Sequence, residues 1–113
     1  MKYNIILATK SEIRRNLLKN TGIRFKAIKS DFDETQLQNT LNGKICSLKD
    51  AQDLVKKLSF EKARNISDKY CKDLIIGCDQ TLYFKKRILN KPVNYEESLE
   101  QLKGLSGETH KLI

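Results

Sequence analysis

The first part of the chain passes from an apolar strand pattern to a helical pattern and back, and this opening constrains the fold more than any other feature. Residues 3–8 form a short apolar run that predicts a buried strand. Thr9 or Ser11 is suited to cap a helix over about residues 12–20. The alternation over residues 24–28 predicts a second strand with one solvated face. A strand–helix–strand unit of this length is typical of the α/β class.

The middle of the chain is predicted to contain one long helix. Leu54, Val55 and Leu58 lie on one stripe at helical spacing, which predicts a helix over about residues 48–67. The polar stretch that precedes it, through residue 44, predicts a loop.

The last third is predicted as strands and one helix. Residues 74–78 form an apolar run that predicts a buried strand, and residues 81–89 predict a hairpin. Asn94 is placed to cap a further helix, and residues 110–113 begin another strand. With no linker or repeat in the sequence, we expect one α/β domain over residues 1–113.

The two shorter helices carry leucines that predict their inner faces. Leu17 and Leu18 belong to the first helix, and Leu99 and Leu102 belong to the last. Because a surface helix buries one apolar stripe, we expect these leucines to face the core.

Composition limits the classes of protein that the chain can represent. Of its 113 residues, 39% are hydrophobic and 32% are charged, which is the balance of a soluble globular domain. No apolar run is long enough to cross a bilayer, and residues 3–8 are too short for a secretory signal, so we expect a cytoplasmic protein without membrane contact. The 3 cysteines and 1 histidine do not have the spacing of a zinc site.

The charge favours a polyanionic partner. The chain has 22 Lys and Arg against 14 Asp and Glu, a net charge of +8. The cations are spread along the chain, without the aromatic residues that interleave with basic residues on nucleic-acid-binding strips. We therefore favour a small phosphate ligand and expect no specific nucleic acid; a nucleic-acid-binding module is the alternative that rests on charge alone.

Asp79 is the first candidate for the centre of an active site. It follows a predicted buried strand, after Gly77 and Cys78. A carboxylate at the end of a buried strand is costly unless it meets a metal, a cation or a proton to transfer. In α/β enzymes the chemistry is found at this edge of the sheet.

Other polar groups near the predicted strand ends suit phosphate chemistry. A strand–turn–helix opening with hydroxyls and a guanidinium can bind phosphate oxygens, and two carboxylates can hold Mg²⁺. Lysines can neutralise charge that builds on bridging oxygens. The residues concerned are Thr9, Ser11, Arg14, Glu34, Lys62, Asp79, Gln80 and Lys91.

Each of these residues also has an ordinary structural explanation. Ser11 can be only a helix cap, and the pair Asp33-Glu34 can be a solvated start of a loop. A lysine on a helix, such as Lys62, is more often on the surface, and Lys91 before a proline can be part of a turn. Taken singly, these residues predict no more than a phosphate-binding α/β domain.

The order of the motifs is more specific than any one of them. The segment Leu-Ala-Thr-Lys-Ser-Glu-Ile-Arg at residues 7–14 resembles the opening Leu-Ala-Ser-x-Ser-Pro-Arg-Arg of the Maf family of nucleoside triphosphate pyrophosphatases. Further matches follow in order along nearly the whole chain: Gly22-Ile23-x-Phe25, Asp33-Glu34, Lys62-Ala63, Ile76-Gly77-x-Asp79, Lys91-Pro92 and Leu105-Ser106-Gly107-x-Thr109-His110.

The resemblance implies a fold and an activity. It implies a mixed twisted sheet flanked by helices, similar to the inosine triphosphate pyrophosphatases, and often a homodimer. It also implies hydrolysis of a nucleoside triphosphate to the monophosphate and pyrophosphate with a divalent cation, Mg²⁺ or Mn²⁺. By the same resemblance Asp79 is the catalytic proton acceptor and, with Glu34, a metal ligand. The residues implied to bind substrate are Thr9, Ser11, Arg14, Lys62 and Lys91.

The sequence departs from the family pattern at positions that bear on the substrate. Glu12 stands where the family has proline, Ile13 replaces the first arginine of a pair, and Gln80 replaces a frequent threonine. Arginine with threonine resembles the dTTP and UTP enzymes. An apolar residue with glutamine more closely resembles the branch that acts on 7-methyl-GTP, so Ile13 and Gln80 favour that branch.

The chain is short for the family, whose members are nearly twice its length. We therefore expect a truncated domain that lacks the C-terminal part of the fold, leaves apolar surface bare, and is poorly stable or associates. The alternative to a working enzyme is an inactive remnant that binds nucleotide or a partner protein through an exposed sheet edge.

Overall fold

The computed structural model of the chain describes residues 3–113, apart from the side chain of Asn42. Its elements are β1 (Ile5–Leu7), α1 (Glu12–Lys19), β2 (Lys26–Ala27), α2 (Glu34–Asn42), α3 (Leu48–Ser67), β3 (Leu74–Ile76), β4 (Leu82–Phe84), β5 (Arg87–Leu89), α4 (Tyr95–Leu105) and β6 (Lys111–Leu112). The predicted α/β class is confirmed, and the strands of the described residues form two three-stranded sheets.

The chain divides into two compact units. The first unit comprises the residues through Thr35 together with Lys56–Asp79. Its strands are parallel and lie in the order β2-β1-β3. Because all three strands run the same way, the segments that follow them leave from one edge of the sheet.

The central strand of this sheet is buried, as predicted, but its neighbour β3 is not. Ile6 and Leu7 of β1 are 1% and 3% exposed. Leu74 and Ile76 of β3 are 54% and 38% exposed, so the prediction of a buried strand there is wrong. Among the described strands β3 pairs only with β1 and forms an edge, whereas a parallel strand this apolar is usually covered on both faces.

Helix α3 packs closely against the turn that follows β3. Ile66 of α3 lies in the core cluster of this unit with Ile6 of β1. A Cβ added at Gly77 would collide with the Ser59 carbonyl oxygen and lie 2.9 Å from the Ala63 Cβ. Only glycine therefore allows α3 to approach this turn so closely.

Helix α1 begins as predicted but does not bury its predicted face. The Ser11 Oγ accepts a hydrogen bond from the Arg14 N–H at 3.3 Å, so Ser11 rather than Thr9 is the N-cap. Leu17 is 64% exposed and Leu18 is half-buried, so the prediction that both face the core is wrong. None of the residues of this helix is fully buried.

The second unit comprises Gln36–Val55 and Gln80–Ile113 and contains an antiparallel sheet in the order β5-β4-β6. The predicted hairpin is confirmed: β4 and β5 are joined through Lys85 and Lys86, whose φ values are 47° and 62°. Positive φ at both turn residues matches the right-handed twist of the paired strands.

Two helices of the second unit differ from prediction in different ways. Helix α2 occupies the stretch predicted as a loop. The helix was not predicted because its sequence signal, the apolar pair Leu37 and Leu41 at i and i+4, is too brief to indicate a helix. Helix α4 is capped as predicted, with the Asn94 Oδ1 accepting from the Glu97 N–H at 2.8 Å. Leu99 and Leu102 of α4 are 39% and 66% exposed, so the prediction of an inner face there is wrong.

The predicted bounds of the long helix α3 are confirmed, and Leu54 and Leu58 on its stripe are 4% and 0% exposed. Within the described part of the chain, no helix has the length and apolar character required to cross a bilayer.

Candidate active site

A lysine shared by two carboxylates forms the centre of the candidate site. The Lys62 Nζ lies 2.8 Å from the Glu34 Oε1 and 2.9 Å from the Asp79 Oδ1. The side chains of Lys62 and Asp79 are 10% and 9% exposed, whereas that of Glu34 is 40% exposed. The site is therefore closed around Lys62 and Asp79 and open to solvent on the side of Glu34.

Three elements of the first unit bring these residues together. Asp79 follows β3, Glu34 is the first residue of α2 and comes after β2, and Lys62 is carried by α3. Because β2 and β3 are parallel strands of one sheet, the segments that follow them begin at the same edge of that sheet. The close approach of α3 at Gly77 then lets the long side chain of Lys62 reach both carboxylates.

The segment that leads to Glu34 is attached to α3 by a second polar residue. The Asn65 Oδ1 accepts hydrogen bonds from the Asp31 backbone N–H at 3.0 Å and from the Ser30 Oγ at 3.3 Å. Asn65 lies three residues after Lys62 and so on the same side of the helix. Asn65 was not predicted as a site residue, because its i+3 spacing from Lys62 shows only that the two residues share a helix face.

The charge of Lys62 is stabilised by its two partners. Burial is the largest single effect on its pKa and disfavours the charged form. The hydrogen bonds and charges of Glu34 and Asp79 together outweigh burial, so the pKa of Lys62 is raised above its ordinary value. Lys62 is therefore a permanent cation at neutral pH, with one ammonium proton left for another acceptor.

The turn after β1 lies beside the turn that carries Asp79. The Ala8 N–H donates to the Ile76 carbonyl at 2.8 Å, which continues the pairing of the two strands to their ends. Arg14 Nη1 donates to the Cys78 carbonyl at 3.4 Å, one residue before Asp79. The Arg14 guanidinium is thereby placed against the backbone of the residue that precedes Asp79.

Two hydroxyls order this turn. Thr9 is 8% exposed, and its Oγ1 accepts from the Ser11 N–H at 3.1 Å. Ser11 in turn caps α1. Both hydroxyls thus have a structural use, which is compatible with a further role in binding phosphate.

Three further predicted site residues are exposed. Ile13 is 74% exposed on α1. Gln80 and Lys91 belong to the second unit, and both are exposed. Their roles in specificity and in substrate binding stay predictions.

The two carboxylates are compatible with the divalent cation that the family resemblance implies. Within residues 3–113, no group of three or more His, Cys, Asp or Glu side chains is arranged to hold a metal. Mg²⁺, however, is commonly bound through one or two carboxylates, with waters and substrate phosphates completing its shell. Glu34 and Asp79, already drawn to one cation, have the donor chemistry for such a site.

The chain is similar to known proteins along nearly its whole length. A family model described as Maf-like protein matches residues 4–113. The chain is 35% identical over its whole length to a nucleoside triphosphate pyrophosphatase of Ruegeria sp. (strain TM1040), covering 55% of that protein. It is 38% identical over 99% of its length to a 7-methyl-GTP pyrophosphatase of Bartonella quintana (strain Toulouse), covering 54% of it. It is 40% identical over 96% of its length to a dTTP/UTP pyrophosphatase of Clostridium tetani (strain Massachusetts / E88), again covering 54%.

The chain thus spans about half the length of the curated relatives that it matches. Relatives of similar identity carry names for different substrates, so identity does not choose between the substrate branches.

Proposed function

The chain belongs to the Maf-like protein family, and from this premise we propose that it hydrolyses nucleoside triphosphates to nucleoside monophosphates and pyrophosphate. The observation that carries the proposal is the buried Lys62 ammonium held between Glu34 and Asp79 at the edge of the sheet. The relative from Ruegeria sp., a nucleoside triphosphate pyrophosphatase, supports the same reaction.

The reaction displaces pyrophosphate by water at the α-phosphorus. The water oxygen forms a bond to this phosphorus while the bond from the phosphorus to the bridging oxygen breaks, and pyrophosphate leaves with that oxygen. The proton of the attacking water must pass to a base. Asp79 is suited to accept it, because it follows β3 at the edge of the sheet and its side chain is only 9% exposed.

The turn after β1 is suited to bind the phosphates. The turn after β1 ends at Ser11, the N-cap of α1. The N–H groups of the first helical turn and the positive end of the helix dipole are therefore at this turn. Arg14, beside the Cys78 carbonyl, adds a guanidinium, and Thr9 adds a second hydroxyl. Lys62 has one donor left for a phosphate oxygen, and Lys91 is proposed as a further cation.

A divalent cation, Mg²⁺ or Mn²⁺, would be held by Glu34 and Asp79 and would supply positive charge to the phosphate oxygens.

The substrate is proposed to be of the 7-methyl-GTP type rather than dTTP or UTP. Ile13 and Gln80 support this, because an apolar residue and a glutamine at these positions resemble that branch. Ile13 is exposed at the start of α1, one residue before Arg14, so its side chain is available to a ligand. Pyrophosphate release from 7-methyl-GTP, dTTP and UTP, compared by kcat/KM, tests this preference.

A protein that binds nucleotide or a partner without hydrolysis is the second candidate. The exposed apolar edge of β3, with Leu74 and Ile76, is the observation that favours it. Nucleotide binding without pyrophosphate release would support this candidate over the enzyme. The same edge supports a homodimer, which sedimentation over a range of concentrations tests. A cytoplasmic location is proposed from the nucleotide substrate.

A further inference from the structure

We propose that Lys62 is the resident counter-cation of the Glu34–Asp79 pair, which a divalent metal must displace in order to bind the two carboxylate oxygens that the lysine contacts. The inference rests on the proposed function, because it takes these two carboxylates as the metal ligands. It adds a property of this chain: the protein's own side chain competes with the metal.

The geometry carries the inference. The Lys62 Nζ is within hydrogen-bond distance of an oxygen of each carboxylate, at 2.8 and 2.9 Å. An ion that contacts the same two oxygens would have to occupy nearly the position of this ammonium. Two like charges at such a separation repel strongly, so the ammonium and the metal cannot share the position.

The two carboxylates differ in burial, so the competition between Lys62 and the metal differs at Asp79 and at Glu34. Asp79 and Lys62 are almost closed to water, whereas Glu34 is 40% exposed and lies at the start of α2. Glu34 can therefore turn toward an arriving metal, while Lys62 must withdraw from Asp79. A phosphate oxygen of the substrate is the natural acceptor for the released ammonium, so substrate and metal are expected to favour each other's binding.

The first experiment measures Mn²⁺ binding directly, by the loss of the free Mn²⁺ electron paramagnetic resonance signal, without nucleotide. Replacement of Lys62 by a neutral residue removes the competing charge, and we expect Lys62→Gln to tighten Mn²⁺ binding at least about tenfold. Lys62→Arg keeps the charge and is expected to stay within about threefold of the parent protein. Lys69→Met is the matched control, because it removes a lysine from an exposed ion pair with Asp31 in the same unit.

A second measurement needs no variant and so does not depend on the folding of Lys62→Gln. Reductive methylation of the parent protein, followed by mass spectrometry of the Lys62 peptide, reports the access of reagent to this amine. Mn²⁺ should raise the rate of Lys62 methylation and leave that of Lys69 unchanged.

The outcomes separate this inference from the proposed function. Unchanged or weaker Mn²⁺ binding by Lys62→Gln, or a Lys62 methylation rate that Mn²⁺ lowers or leaves unchanged, would overturn the inference. Pyrophosphate release by the parent protein alongside that result would leave the proposed function standing. Tighter binding by Lys62→Gln in a protein that releases no pyrophosphate would retain the inference and reject the function. Absence of Mn²⁺ binding in every variant would overturn the inference.

Discussion

The Lys62 ammonium lies 2.9 Å from the Asp79 carboxylate, although the two residues are 17 positions apart and belong to a helix and to the turn after a strand. Both side chains are about nine-tenths buried. A charge in such a place is tolerated because its partner is there, so each residue depends on the other.

Loss of Lys62 is expected to destabilise the fold much more than loss of an exposed lysine. Lys62→Met leaves the Asp79 carboxylate buried without its cation, which should lower the free energy of unfolding by about 3 kcal/mol. Lys69→Met breaks a pair whose side chains are 60% and 73% exposed and should cost less than about 1 kcal/mol. Urea unfolding monitored by circular dichroism measures both. Equal effects of the two substitutions would contradict the assigned burial of the Lys62 pair.

Stability should also depend on the charge of Lys62 at alkaline pH. The pKa of Lys62 is raised in the folded protein, so the folded state holds this proton more tightly than the unfolded chain. The stabilisation is complete below the ordinary lysine value of 10.5 and is lost as the pH rises through the higher value of the folded state. Unfolding free energies of the parent and Lys62→Gln should therefore converge above pH 10.5. A constant difference between the two proteins into that range would argue against a raised pKa.

Gly77 is expected to tolerate no side chain. Gly77→Ala places a Cβ against the Ser59 carbonyl and the Ala63 side chain, so α3 must move away from the turn before Asp79. We expect a loss of stability of about 1–3 kcal/mol, with a further loss of activity because the turn that leads to Asp79 is shifted relative to α3. Gly104→Ala in α4 is the control: nothing lies within 4 Å of its added Cβ, and alanine favours a helix by about 0.5–1 kcal/mol. A thermal melt in which both substitutions have the same effect would refute the close approach.

Asn65 is expected to position Glu34 without touching the substrate. Asn65→Ala removes the acceptor of the Asp31 N–H and of the Ser30 hydroxyl, so the segment that leads to Glu34 loses one of its attachments to α3. The expected result is a decrease in kcat/KM of about tenfold, together with about 1 kcal/mol of stability. Gln52→Ala, at an exposed position of the same helix, should change neither. A positioning role also predicts weaker Mn²⁺ binding by Asn65→Ala, whereas a purely structural residue would change stability alone.

The elements with strong local signals could be predicted from the sequence, and those that depend on their surroundings could not. Helix α3 has a long apolar stripe, and the start of α4 has a capping pattern, so both were predicted closely. Helix α2 was missed, because Leu37 and Leu41 alone do not distinguish a short helix from a loop. The exposure of β3 was also missed, because its apolar sequence is that of a covered strand, whereas whether another strand covers it is a property of the tertiary structure.

The same distinction applies to the site. Asp79 could be singled out from its place after an apolar run, since that judgement needs only local sequence. The burial of Lys62 could not be predicted, because the helical pattern places a lysine at that position without showing which side chains it contacts. The attachment of the Glu34 segment by Asn65 joins residues more than 30 positions apart and becomes visible only in three dimensions.

The most direct test of the central claim is pyrophosphate release from a panel of nucleoside triphosphates, with Mg²⁺ or Mn²⁺, by the parent protein and by Asp79→Asn. Asparagine keeps the shape of the side chain but is not a base, so the rate should fall by about 10²–10⁴-fold, with substrate still bound. A circular dichroism spectrum that matches the parent protein establishes that the variant is folded. Pyrophosphate release by the parent protein that is lost in Asp79→Asn is the predicted result, and release that continues unchanged in the folded variant would contradict the assignment of Asp79 as the catalytic residue.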